Sequence, residues 1–168
     1  MPVIGTVKKL ITYEDEAITA FLIENNGQEY EFYLTNTTWL VDGAGFPATA
    51  ESLVNKTVIV AHDAAMTMSL PPKAIAFAVM VNDNILPNYA VVEDVTVHQD
   101  GTVTVTTDQG NRLVTIAMDA QVSPFRTRNI ITAQDLRPGD TVVLYYDVLA
   151  PSIPAKASTD RVVRLASV

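Results

Sequence analysis

The chain has no cysteine. Disulfides, thiolate metal sites and a thiol nucleophile are therefore excluded together. Histidine is scarce: His62 and His98 are the only two, and they fall in different halves of the chain with no third partner, so a metal site, which needs several converging ligands, is not expected. Basic residues are also few. Eleven Lys and Arg stand against nineteen Asp and Glu, for a net charge of -8. A nucleic-acid binder draws its affinity from clustered cations, so no nucleic-acid partner is expected. Long apolar runs are missing. The longest, Ala74 to Val81, has eight residues, against the roughly 20 that cross a bilayer as a helix, and no membrane span is expected. The start, Met1-Pro2-Val3-Ile4-Gly5, lacks the charge-then-apolar order of a signal peptide. Any export signal is thus expected to be removed, unconventional or absent.

What is present is apolar material in short pieces. Hydrophobic residues make up 48% of the chain and the mean hydropathy is +0.20. Glu29-Tyr30-Glu31-Phe32-Tyr33-Leu34 and Thr102-Val103-Thr104-Val105-Thr106 alternate in the manner of half-buried strands. Asn25-Asn26-Gly27-Gln28 is a hairpin signal, since Asn-Gly accepts the positive φ of a tight turn, and Asp108-Gln109-Gly110-Asn111 repeats it. Pro138-Gly139 marks a type II turn. One-turn helices are expected at Thr49 to Leu53, with Thr49 as cap, and at Thr132 to Leu136.

Most of these features recur at one offset. Gly27 matches Gly110, Leu53 matches Leu136, and Ser69, Pro71 and Lys73 match Ser152, Pro154 and Lys156. A constant offset over many landmarks is the mark of duplication. The expected fold is all-β: two tandem small OB-like β-barrels or sandwiches, one in residues 1–81 and one in 90–168, joined by a linker at 82–89. Strand order alone leaves barrel and open sandwich both standing.

Around Leu136-Arg137-Pro138-Gly139-Asp140-Thr141-Val142, and more so at Ala65-Met66-Thr67-Met68-Ser69-Leu70-Pro71-Pro72, the chain resembles the small β-repeats of secreted and surface proteins of Gram-positive, often anaerobic, bacteria. Those repeats often accompany stalk domains named for the amino-terminal region of copper amine oxidases. The resemblance implies a non-enzymatic surface or scaffold role, with no catalytic residues and no copper chemistry. The second half departs from the pattern, keeping only Ser152, Pro154 and Lys156 of the loop, and the first half has Val54-Asn55-Lys56 where the Pro-Gly turn belongs.

No cofactor, metal or catalytic residue is nominated. Trp39, Met66 and Met68 are the candidate contacts with a partner or ligand, the methionines because their side chains adapt to soft surfaces. Tyr30, Phe32, Tyr33 and Trp39 could line a sugar-binding face, although core and cross-strand pairing is the expected role. The acidic turn Glu14-Asp15-Glu16 and Asn82-Asp83-Asn84 lack the spacing of a calcium loop. The leading expectation is a bacterial cell- or spore-surface structural protein that self-associates into oligomers or fibres through strand edges, with Pro2 to Val7 and Val162 to Val168 as segments able to pair with a neighbour. A cytoplasmic location is not excluded. The alternative is a module that binds a glycan or cell-wall polymer.

Overall fold

The computed structural model describes residues 2–14, 18–127 and 129–168. Asp15 and Glu16 of the expected acidic turn lie outside them. The chain divides into two units, Met1–Asp83 and Asn84–Val168. All regular structure among the described residues is strand or short 3-10 turn. The stretch 82–89, expected as a linker, already contains the start of a strand of the second unit at Pro87.

The first unit is a closed barrel. Its strands are β1 (Val3–Thr12), β2 (Thr19–Asn25), β3 (Gln28–Leu34), β4 (Trp39–Val41), β5 (Thr57–His62) and β6 (Lys73–Val81). β1 pairs with β2 along one half and with β5 along the other, both antiparallel. β5 pairs with β6, and β3 closes the ring by running parallel to β6 from Glu31–Lys73 to Tyr33–Ile75. This is the strand order of an OB barrel. Asn26 and Gly27 both take positive φ in the β2–β3 turn, as the Asn-Gly pair requires. Phe21, Ile23, Phe32, Leu53, Val58 and Val79 fill the interior.

β1 can serve two partners because it bends. The register slips between Val7 and Lys9, a bulge that raises local twist. Gly5 sits close enough to β2 that a Cβ there would stand 2.7 Å from the Glu24 carbonyl oxygen.

The second unit repeats the order: β7 (Pro87–Val91), β8 (Asp94–Val97), β9 (Val103–Thr107), β10 (Arg112–Pro124), β11 (Thr141–Tyr145) and β12 (Ala155–Ala166). Its sheet runs β7-β11-β12-β10-β9-β8 and curls, because β7 and β8 are consecutive in the chain. Only Val92 and Glu93 separate them, and together they take the place of β1. β10 and β12 are parallel, as β3 and β6 are. Glu93 fixes the break: its carboxylate accepts hydrogen bonds from the amides of Gln109 (2.5 Å) and Gly110 (2.8 Å) in the β9–β10 turn.

The duplication extends to single hydrogen bonds. The Asn55 amide donates to the Val7 carbonyl at 2.8 Å, and the Gly139 amide donates to the Val92 carbonyl at 2.7 Å. Asn55 and Gly139 both hold positive φ, 71° and 96°. Asn55 therefore does the work of the turn glycine, since Asn tolerates the left-handed region better than other side chains. In the loops before β6 and β12, the Ser69 hydroxyl donates to the Pro71 carbonyl (2.9 Å) and the Ser152 hydroxyl to the Pro154 carbonyl (2.7 Å). These loops are crossovers into the final strand of each unit.

β10 is longer than the expected strand at Arg112 to Ala117. Its far end, Gln121 to Pro124, pairs with β12 as β4 pairs with β6. In the first unit a turn separates the two stretches: the Thr35 amide donates to Thr38 Oγ1 at 2.9 Å and the Thr38 amide to the Thr35 carbonyl at 3.2 Å. Ala117-Met118-Asp119-Ala120 has no such turn-forming threonines, and the strand runs on through a bulge.

Of the segments expected to recruit neighbours, Val162 to Ala166 lie in β12 between β10 and β11. Val3 to Thr6 pair with β5, and β1 meets β2 only from Thr6 onward. The second sheet ends on β7 and β8.

Asp140 is the most buried carboxylate among the described residues, at 1% exposure. It accepts hydrogen bonds from the amides of Arg137 (2.9 Å) and Val168 (3.1 Å). An Asp140→Ala chain strands both donors and is expected to lose about 1–3 kcal/mol, with Asp140→Asn losing less. Thermal unfolding followed by circular dichroism measures the difference, and an unchanged midpoint would contradict it.

Candidate functional site

A groove of about 1000 Å³ opens on the first unit. Tyr13 and Ile18, beside the β1–β2 turn, form one wall. Tyr33 and Leu34 at the end of β3 and Ile75 of β6 form the floor, and Thr35, Asn36 and Leu40 close the far side. The lining is mostly apolar with a few hydroxyl and amide groups, the usual make-up of a small-molecule site. It includes one carboxylate, Glu14, and no Lys or Arg among the described residues.

The floor follows from strand alternation. Phe32 turns toward the barrel interior, so Tyr33 faces out, and the parallel register places it beside Ile75. The rings of Tyr13 and Tyr33 lie 6.2 Å apart at 45°, a tilted aromatic pair.

Tyr13 is held from below. Its hydroxyl donates to Glu31 Oε2 at 2.5 Å, and Lys73 Nζ stands 3.8 Å from the same oxygen. Glu31 is only 6% exposed, and these two partners satisfy a carboxylate that burial would otherwise penalise. The hydrogen bond to Glu31, then burial and the Glu31 charge, push the Tyr13 phenol up to about 12 from its ordinary 10. The folded state thus favours the protonated phenol, and that contribution is complete below pH 10 and is lost as pH rises toward 12. In a Glu31→Gln chain the Tyr13 titration is expected to fall back toward 10. Ultraviolet titration of the phenolates checks this, and an unmoved highest-titrating tyrosine would refute the Glu31 contact.

The aromatic residues of the expected sugar face part company. Phe32 is in the core, stacked at 6.0 Å on Tyr30. Tyr33 alone reaches the groove. Trp39 lies in β4 opposite Ala78 and does not line it. Met66 packs on the core of the first unit, while Met68 and Leu70 are fully exposed at the crossover tip. The three nominated contacts are thus not gathered into one site. Tyr13, Thr35, Asn36 and Ile75 were not nominated. Tyr33 and Ile75 had a readable signal, since each sits on the outward phase of its strand. Tyr13 has none, because it stands next to the acidic residues Glu14-Asp15-Glu16 with no strand alternation to place it. His62 lies at the end of β5 with its ring 5.3 Å from Phe32, and His98 meets Thr104 Oγ1 at 2.7 Å in the other unit.

The chain is therefore a tandem of OB-like units whose first member carries an aromatic groove. No family model matches it, and no curated protein does. Among solved structures, a murine DNA-binding protein bound with double-stranded DNA is similar over 99% of this chain and 97% of that one, with 11% identity and a TM-score of 0.35. A likeness this low carries no argument about what this chain binds. The expectation of no nucleic-acid partner, read from net charge alone, is withdrawn. No helix among the described residues is long and apolar enough to cross a membrane.

Proposed function

We propose that the chain is a non-enzymatic binding module of a bacterial surface, and that its first unit takes a glycan of neutral, N-acetylated sugars in the Tyr13–Tyr33 groove. The observation that carries this reading is the pairing of two accessible tyrosine rings with Thr35 and Asn36 in one apolar groove. A sugar ring offers the same combination in reverse. Its C–H face packs on aromatic rings, and its rim of hydroxyls and amides seeks hydrogen-bond partners. Ile75 and Leu40 suit the methyl of an N-acetyl group. The Glu31 anchor holds Tyr13 in place before the ligand arrives, which lowers the ordering cost of binding.

Isothermal titration with the tetramer of N-acetylglucosamine tests the reading. Saturable binding is expected, and Ile75→Arg should weaken it at least tenfold, about 1.4 kcal/mol, because it sets a charge in the apolar floor. Ile75 is already well exposed, so the variant keeps its fold. Equal affinity for both chains would overturn the assignment.

A further inference from the structure

The second unit has a groove in the corresponding place, and its chemistry is different. The loop lysines Lys73 and Lys156 are equivalent, and two residues beyond them stand Ile75 and Ser158. Across the parallel register, Ile75 faces Tyr33 and Ser158 faces Thr115. Tyr33 and Ile75 line the groove of the first unit. Thr115 and Ser158 line one of about 880 Å³ in the second. Both copies of the fold are thus concave over the same strand pair, and the pair has become Thr-Ser where the other copy has Tyr-Ile.

The hydroxyls do not stand alone. Thr115 Oγ1 is 3.0 Å from Thr104 Oγ1, which is 2.7 Å from His98 Nε2. This chain of hydrogen bonds orients the Thr115 hydroxyl. Thr102, Lys156, Asp147 and Asp160 also line the groove, with Tyr145, Tyr146 and Val148 among its less polar residues. Leu113 replaces Glu31 opposite the loop lysine, so Lys156 lacks the cross-strand carboxylate that Lys73 has and faces the groove instead.

We propose that this groove is a second carbohydrate site, one that reads the hydroxyl edge of a sugar by hydrogen bonds where the first site stacks on its face. The proposal rests on the reading above for the class of ligand, and on the duplicated position for the place. Each unit then has its own glycan site, and the two differ in chemistry.

The test uses the full ¹⁵N-labelled chain titrated with the N-acetylglucosamine tetramer and followed by amide chemical shifts. Two groups of resonances are expected to move. One surrounds Tyr33, Thr35 and Ile75, the other Thr102, Thr115 and Ser158. Ser158→Ala and Thr115→Val should each weaken the second response about fivefold, in line with the loss of one hydrogen bond, and leave the first unchanged. Movement of the first group alone overturns the second site and leaves the first standing. Movement of the second group alone supports this inference and removes the first groove as a site. No movement in either group overturns both.

Discussion

Replacing Phe32 by alanine is expected to destabilise the first unit by about 3–5 kcal/mol, the usual cost of emptying an aromatic site in a packed core. Phe32 is fully buried and occupies the point where the ring closes. On one side it pairs with Phe21 of β2, and on the other with Ala74 of β6. On the β6 side the facing residue is small, so that side has no large side chain to fill the void. Tyr30 and His62 pack on its ring and lose those contacts as well. Because Trp39 is the only tryptophan and belongs to this unit, urea unfolding followed by its fluorescence reports on this unit. A shift of less than about 1 kcal/mol would mean that Phe32 does not fill the centre of the barrel.

Gly5→Val is expected to cost about 3 kcal/mol by the same readout, at the upper end of ordinary overpacking. A Cβ at this position meets backbone, the Glu24 carbonyl at 2.7 Å, as well as the Ile23 side chain. Backbone cannot swing aside as a flexible side chain can. The collision would force β1 away from β2 at the bend where it passes from one partner to the other. The second unit meets the same bend differently. There Ala90 pairs with Val142 as Gly5 pairs with Val58, and the strand breaks at Val92–Glu93, so no glycine is needed. A Gly5→Val chain as stable as its parent would show that β1 does not approach β2 this closely.

Much of the architecture was legible because its signals are local. The Asn-Gly turn, the alternating β3 and the repeated Ser-Pro-Lys loops all appear where expected. The sequence sets Val54-Asn55-Lys56 in the place of the Pro-Gly turn, but that Asn55 takes the same positive φ as Gly139 was not legible, because the turn demands a backbone conformation and two different residues can supply it. The apparent constancy of the repeat also concealed changes. Phe32 and Val114 are equivalent, each facing the alanine after the loop lysine, yet their spacing is one less than that between Ser69 and Ser152. The β9–β10 hairpin has fewer paired residues and a longer turn than β2–β3, so Gly27 and Gly110 match in sequence although the strands after them are shifted.

The groove was less readable than the barrel. Tyr33 could be placed on the outward face from alternation, but its partners come from β1 and β6, far away in the chain. Which outward residues meet is decided by the parallel closure of β3 on β6, a contact that no local pattern encodes. Glu31 illustrates the difficulty. It has the strand phase of a solvated residue and is buried all the same, because Tyr13 and Lys73 cover it.

A crystal structure of the chain grown with the N-acetylglucosamine tetramer tests the central claim most directly. The account predicts a sugar ring packed on Tyr33, between Tyr13 and Ile75, with its polar rim toward Thr35 and Asn36. A tetramer bound elsewhere while this groove stands empty would contradict it.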